Sequence, residues 1–158
     1  QEALLMNLNC YGLDFNINEA KNNLEWLKNK FNFRSNYRLF QGDSRNVSRY
    51  FSKIECCVTE PYLGPYFKKY PKYGEAINVI RDLEKLYIQV LNELDKVIEK
   101  RVVILLPVIH TNLKKILKIN IGKLLHGIKF KVAKNPILYS NKGAIVEREI
   151  YILEKSNL

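Results

Sequence analysis

The chain has 158 residues, 47% hydrophobic and 27% charged, which suffices for one domain with a sizeable core but not for two well-built ones. Its longest apolar run, residues 102–109, is far shorter than the roughly 20 residues of a membrane helix, and no signal peptide is visible, so no membrane partner is predicted. The net charge is +10: residues 1–80 contain 11 basic and 8 acidic residues, and residues 81–158 contain 15 basic and 8 acidic residues. This excess of positive charge favours a polyanionic partner. A lysine-rich surface that is merely solvated has the same composition.

The first 60 residues alternate between short apolar runs and helix-like segments. Strands are predicted at residues 10–14, 37–43 and 54–58, and helical segments at residues 2–7, 19–31 and 44–51. Asn18 is a suitable N-cap for the second helix, and Leu24 and Trp26 are assigned to the core.

The second part begins with a loop at residues 66–74 that is rich in aromatic and basic side chains. A long amphipathic helix follows, whose apolar face consists of Ile77, Ile80, Leu83, Leu86, Val90, Leu94 and Val97. A strand is then predicted at residues 101–108, a helix at 112–125, and two strands at 129–137 and 145–153 joined by a turn through 140–143. This order predicts an α/β fold: a mainly parallel sheet with helices on both faces and an antiparallel C-terminal strand.

Three cysteines occur, two of them adjacent: Cys10, Cys56 and Cys57. An odd number in this arrangement argues against a disulfide framework and predicts a reducing, cytoplasmic location. No cysteine or histidine pair has metal-ligand spacing, so no metal site is predicted.

Polar groups stand at the ends of three successive predicted strands, namely Asp14, Asp43 and the turn at residues 59–62. In an open parallel sheet, ligands bind beyond the carboxyl ends of the strands. A strand-ending acid is able to accept both hydroxyls of a ribose, and a Pro-Tyr turn offers carbonyl oxygens and an aromatic face to a base. Each acid alone is explained as well by a turn or N-cap role, but their joint placement indicates a nucleotide-like ligand.

Five segments carry a resemblance to a known family. They are YGLDFN at 11–16, AKNNL at 20–24, GDSR at 42–45, VTEPYLG at 58–64 and REIYILE at 148–154. In this order they resemble the class I methyltransferases, and are most similar to the THUMP-associated tRNA guanosine N2-methyltransferases. The resemblance implies a Rossmann-like fold with S-adenosylmethionine as cofactor. It also implies that Asp14 binds the cofactor ribose, that Asp43 with Ser44 lies at the adenine, and that Phe15 belongs to the cofactor-binding residues.

By the same resemblance, Thr59, Glu60, Pro61 and Tyr62 form the amino-methylating motif and are the expected catalytic residues. The family usually has Asp or Asn, two prolines and an aromatic residue there. In this chain the first position is Thr59, and the acid stands one place later at Glu60. Either side chain is therefore a candidate acceptor for the amine to be methylated, and Tyr62 is expected to stack on the base.

The loop that follows supplies the expected RNA-binding residues Lys68, Lys69, Tyr70 and Lys72, because aromatic side chains interleaved with lysines suit unstacked nucleotides. Packed tyrosines and solvated lysines are the alternative explanation. The expected partner is RNA, in particular tRNA. Two other functions remain open: methylation of adenine or cytosine amines in DNA or RNA, and a non-catalytic nucleic-acid-binding or partner subunit.

In this family, a first strand and a glycine-rich loop precede a segment like the one that opens this chain, and both are absent here. The loop amides approach the methionine part of the cofactor. The expectation is therefore that residues 1–158 form part of a methyltransferase domain, preceded in a longer protein by an RNA-binding domain, and bind the cofactor weakly on their own.

Overall fold

Helices and strands alternate along the first half of the chain in the computed structural model, which describes residues 1–156. Two units are distinguished, Gln1–Tyr50 and a second one that begins at Phe51. The elements of the first unit are α1 (Glu2–Leu5), β1 (Cys10–Asp14), α2 (Asn18–Lys30), β2 (Tyr37–Gln41) and a 3₁₀ helix (Ser44–Arg49). They agree with the predicted elements, except that Asn18 begins α2 and Ile17 is its N-cap.

Strands β1 and β2 are parallel, so their carboxyl ends lie at the same edge. The core of this unit is small and is formed by Leu4, Leu24 and Leu27. The assignment of Trp26 to the core is wrong, because 54% of this residue is exposed and its ring meets Phe31 edge-on. Two helical positions separate Trp26 from Leu24, which turns the two side chains to different sides of α2.

The second unit is a six-stranded sheet with one long helix. Its elements are β3 (Ile54–Thr59), α3 (Tyr73–Val97), β4 (Ile98–His110), β5 (Ile116–Lys118), α4 (Ile121–Leu125), β6 (Phe130–Val132), β7 (Ile137–Tyr139) and β8 (Val146–Lys155). The strand order is β3-β4-β8-β6, with β5 added to β4 and β7 to β8. Strand β3 is parallel to β4, and β8 is antiparallel to β4, as expected of the C-terminal strand. The predicted α/β class is thus confirmed.

Two predictions in the second unit are wrong. Residues 112–125 are not one helix, because β4 extends to His110 and residues 116–118 pair with its last three residues. A turn closed by hydrogen bonds between Thr111 and Lys115 leads into that pairing, and α4 starts only at Ile121. The strand predicted at residues 129–137 is two short strands, β6 and β7, separated by residues that include a proline, which has no amide hydrogen to donate.

Helix α3 packs its apolar face into the core, as its periodicity predicts. Its buried residues are Ala76, Ile80, Leu83, Glu84, Tyr87, Val90, Leu91, Leu94 and Val97. Glu84 is the one acid in this set, and its carboxylate accepts from Lys123 Nζ at 2.6 Å and from the Asn120 amide at 3.2 Å. This buried carboxylate thereby joins α3 to the start of α4. Within residues 1–156, no helix has the length and apolar character needed to cross a membrane.

We expect Lys123→Met to lower the free energy of unfolding by about 1–3 kcal/mol, because it leaves the buried carboxylate of Glu84 without its charged partner. The matched control is Lys85→Met, which removes a lysine from an exposed pair with Asp82 on the same helix and should cost less than about 0.5 kcal/mol. Urea unfolding followed by circular dichroism measures both. Equal losses for the two variants would contradict the role given to Glu84.

Candidate active site

The carboxyl ends of β1 and β2 form one edge of the first unit. Asp14 ends β1 opposite Gln41, and its carbonyl oxygen accepts from the amide of Gly42 at 2.9 Å. Gln41 Nε2 in turn donates to the carbonyl oxygen of Phe15 at 3.0 Å. These hydrogen bonds tie the segments that follow the two strands, so that Asp14 and Phe15 lie beside residues 42–44.

Asp14 is exposed and keeps one carboxylate oxygen available. Its Oδ1 accepts from the amide of Asn16 at 2.9 Å, which closes a local turn, whereas Oδ2 has no hydrogen-bond partner in the part of the chain that the structure describes. The neighbouring Phe15 is 66% exposed. A free carboxylate oxygen next to an exposed aromatic ring is chemically suited to bind hydroxyl groups and a flat heterocycle together.

Asp43 differs from Asp14 because a neighbour occupies its carboxylate. Oδ1 caps the 3₁₀ helix by accepting from the amide of Arg45 at 2.8 Å, and Oδ2 accepts from the Arg45 Nε at 2.8 Å. The hydrogen bond from the Arg45 side chain lowers the pKa of Asp43 below its usual value. Ser44, which follows, is half-buried, and its hydroxyl has no hydrogen-bond partner among residues 1–156. The carboxylate of Asp43 is therefore already engaged in ordering this edge of the unit. A ligand that contacts Asp43 must share its carboxylate oxygens with Arg45.

In the second unit, the turn at residues 59–62 is held by α3. Thr59 ends β3 opposite Ile104, and the hydroxyl of Tyr87 donates to the carbonyl oxygen of Tyr62 at 2.7 Å. Tyr87 is fully buried, which raises the pKa of its phenol well above the usual value, so the hydroxyl keeps its proton and remains a donor. Gly64 then adopts φ +103° close to the side chains of Val79 and Leu83 on α3.

Glu60 is bound by a residue from the other end of the chain. Arg148, the third residue of β8, donates from Nε to Glu60 Oε1 at 2.6 Å. Both side chains are partly exposed, at 38% for Arg148 and 47% for Glu60. The carboxylate is therefore fixed in direction while part of it stays accessible.

A cavity of about 460 Å³ lies next to this ion pair and belongs entirely to the second unit. Its walls are formed by residues 63–67 together with Ile145, Val146 and Arg148. Tyr66 is 87% exposed at its rim. The cavity thus offers apolar and aromatic walls with one cationic group.

The loop after the turn is fixed at its ends and exposed in between. Pro71 is buried, and its carbonyl oxygen accepts from the amide of Asn112 at 3.0 Å. Lys68, Lys69, Tyr70 and Lys72 are all exposed. None of these lysines has an ion-pair partner within residues 1–156, so their charges are available to an external anion.

The candidate residues thus fall into two groups. The first unit brings Asp14, Phe15, Asp43 and Ser44 to one edge, and the second unit carries residues 59–62 and the basic loop. Sequence reasoning missed the contacts of Tyr87 and Arg148; Arg148 lies in a segment that carries the resemblance, but nothing in its neighbourhood along the chain indicates Glu60. No group of three or more potential metal ligands occurs in the described residues.

No protein-family model matches this sequence, and no curated protein matches it. Solved structures do match in fold. A magnesium protoporphyrin IX methyltransferase from Synechocystis, with bound SAH, has a TM-score of 0.64 at 11% identity over 98% of this chain and 67% of its own. A SAM-dependent methyltransferase from Methanosarcina mazei has a TM-score of 0.58 at 12% identity over 98% of this chain and 85% of its own.

TrmN from Thermus thermophilus has a TM-score of 0.54 at 14% identity over 92% of this chain. The present chain spans 44% of the TrmN chain, which is less than half of its length. Together these similarities show that the chain has the Rossmann-like fold of the class I methyltransferases.

Replacing Asp43 by asparagine should make the stability of the first unit less dependent on pH. Asparagine keeps an oxygen for the Arg45 amide but loses the charge. Because the folded-state pKa of Asp43 is lowered, the carboxylate stabilises the folded state above the usual aspartate pKa of about 4, and this stabilisation is lost as the pH falls through the folded-state pKa.

Fluorescence of Trp26, the only tryptophan, reports on this unit during urea unfolding. We expect wild type to be more stable than Asp43→Asn near neutral pH and the difference to shrink below about pH 4. A constant difference from about pH 3 to 7 would rule out the charge interaction.

Gly64→Ala tests how firmly α3 holds the turn. A Cβ at this position would lie 3.1 Å from Val79 Cγ1 in a backbone conformation that alanine adopts only with strain, so we expect a loss of about 1–3 kcal/mol. The matched control is Gly74→Ala in the first turn of α3, where a Cβ meets nothing within 4 Å and should be neutral or stabilise by up to about 1 kcal/mol. Thermal unfolding measures the stability of both variants. If Gly64→Ala were as stable as the wild type, the turn would adjust freely to the added methyl group.

Proposed function

We propose that the chain is the greater part of an S-adenosylmethionine-dependent methyltransferase domain that methylates an exocyclic amino nitrogen of a base in RNA, with guanine N2 in tRNA as the first choice. The observation that carries the proposal is the exposed Asp14 at the carboxyl edge of parallel strands in a class I methyltransferase fold. A cytoplasmic location belongs to the same proposal and agrees with three free cysteines.

The residues at the edge of the first unit fit the nucleoside part of this cofactor. The free Oδ2 of Asp14 and the remaining lone pairs of its carboxylate accept the two ribose hydroxyls. Phe15 offers an exposed ring to the adenine, and Ser44 offers a hydroxyl with no other partner in the described chain. Asp43 orders this segment through its hydrogen bonds with Arg45. The lone pairs of its carboxylate that Arg45 does not use accept from the adenine amine.

The turn at residues 59–62 is the proposed site of chemistry. When bound, S-adenosylmethionine supplies an electrophilic methyl group attached to sulfur. The lone pair of a base amine is delocalised into its ring. When Glu60 or Thr59 accepts a hydrogen bond from the amine, the lone pair becomes more localised on the nitrogen. The bound cofactor would supply the methyl carbon to the amine nitrogen and would keep the carbon–sulfur bonding pair on sulfur, while the amine proton would leave to an acceptor or to water. Holding the three atoms in line accounts for most of the rate.

RNA is favoured as the substrate by the charge and exposure of the loop that follows. Three lysines and Tyr70 are exposed there in a chain with a net charge of +10. A base must leave its stack to enter a pocket, and exposed aromatic rings with adjacent cations bind unstacked nucleotides. The resemblance to the THUMP-associated enzymes adds the preference for tRNA.

A binding-only role is the second candidate, and one observation favours it. The usual acid of the motif is replaced by Thr59, and Glu60 is engaged by Arg148. If this pairing withholds the carboxylate from a substrate, the domain would bind nucleic acid without transferring a methyl group.

The test is calorimetric titration of S-adenosylmethionine into the complete protein that contains this chain. Micromolar binding is expected, and Asp14→Ala should weaken it at least about 10-fold through the loss of hydrogen bonds to a charged acceptor. The control is Asp82→Ala, which removes an exposed acid paired with Lys85 on α3 and should leave the affinity unchanged.

Binding weakened by Asp14→Ala and not by Asp82→Ala supports the cofactor site and justifies assays with tRNA and DNA as methyl acceptors, followed by nucleoside analysis. Methylated adenine or cytosine would replace the guanine assignment. No binding by the folded wild type would end the enzyme proposal and leave the binding-only role.

A further inference from the structure

The cavity at residues 63–67, Ile145, Val146 and Arg148 suggests how the target base is recognised. Its volume of about 460 Å³ lies within the ~300–1,000 Å³ typical of small-molecule pockets, and mostly apolar walls with a single charged group are typical of such pockets as well. We propose that this cavity receives the target base and that Arg148, positioned by Glu60, identifies guanine through its O6 atom. The inference rests on the function proposed above and names the residue that selects the base.

The ion pair fixes the direction in which Arg148 can donate. A guanidinium group is a rigid planar fork, so the 2.6 Å hydrogen bond from Nε to Glu60 also orients the two Nη groups. Those Nη groups have no hydrogen-bond partner among residues 1–156. Because Arg148 lines the cavity, it brings oriented and unused donors to a ligand there.

The pattern of donors and acceptors matches guanine better than the other amine-bearing bases. The Watson–Crick edge of guanine presents the acceptor O6, the N1–H donor and the amine in succession. Arg148 Nη donates to O6, and the free oxygen of Glu60 accepts from N1–H, which makes two contacts that do not involve the amine. Adenine and cytosine, placed in the same way, present an amine donor where guanine has O6 and a ring nitrogen acceptor where guanine has N1–H, so both contacts are lost.

Aromatic side chains complete the pocket. Tyr66 and Phe67 both line the cavity, and Tyr66 is almost fully exposed at the rim. A base that has left its stack regains stacking energy against such rings whatever its identity. The rings therefore supply affinity for any base, and the ion pair supplies the choice among bases.

The test measures binding of guanosine, inosine and adenosine monophosphates to the complete protein by NMR titration, which detects millimolar affinities. Inosine monophosphate keeps O6 and N1–H and lacks the amine. We expect the guanosine and inosine nucleotides to bind similarly and the adenosine nucleotide at least about 10-fold more weakly. Arg148→Gln should weaken the first two about 10- to 100-fold and leave the third unchanged, and Arg148→Lys should have an intermediate effect.

Arg101→Gln is the matched control. Like Arg148, Arg101 forms an ion pair, in its case from β4 to Glu154 on β8 at 2.7 Å, and the exposure of the two pairs is similar. Unlike Arg148, Arg101 does not line the cavity. This variant should keep the wild-type preference for guanosine over adenosine nucleotides. Since a merely structural role of Arg148 would not change the ratio of two affinities, partial loss of stability does not obscure the result.

Three results would overturn the inference: no nucleotide binding by the wild type, equal affinities for the guanosine and adenosine nucleotides, or an unchanged ratio in Arg148→Gln. The S-adenosylmethionine titration of the same proteins separates this from the proposed function. Cofactor binding without a guanine preference removes only the role of Arg148. A guanine preference that depends on Arg148 without cofactor binding removes only the methyltransferase function.

Discussion

The hydrogen bond from Tyr87 to the carbonyl oxygen of Tyr62 is the contact on which the arrangement of the second unit's proposed site depends. A buried hydroxyl without a partner is costly, so the core that buries Tyr87 also requires the turn to stay where its carbonyl oxygen can accept. Helix α3 contributes eight buried hydrophobic residues to this unit, and its packing thereby sets the position of the Tyr62 carbonyl oxygen.

Charged residues divide into those that stabilise the fold and those available to a partner. Glu84 and Glu149 are buried, and each is bound by a lysine that reaches it from the surface. The loop lysines, in contrast, have no acidic partner in the described chain and are exposed. A net charge of +10 says little by itself, but cations left unpaired beside a cavity and a fixed turn are placed where an anionic ligand would approach.

Local pattern was sufficient wherever neighbours along the chain determine the structure. The periodicity of α3, the strand ending at Asp14 and the strand predicted at residues 54–58 could be read from the sequence, and with them the edges at which ligands are proposed to bind. The helix predicted at residues 112–125 failed because the extended end of β4 offers pairing partners that no local pattern reveals. The contact between Glu60 and Arg148 joins residues 88 apart, and only the sheet order brings them together.

The contact between Glu60 and Arg148 also bears on the altered motif at residues 59–62. Thr59 is the last residue of β3, and the acid at Glu60 stands in the irregular segment that follows the strand. Arg148 reaches the displaced acid from β8 and holds it at 2.6 Å. In this chain the displaced acid and Arg148 thus form one ion pair, and the hydrogen bond from Arg148 fixes the direction in which Glu60 would accept from a base.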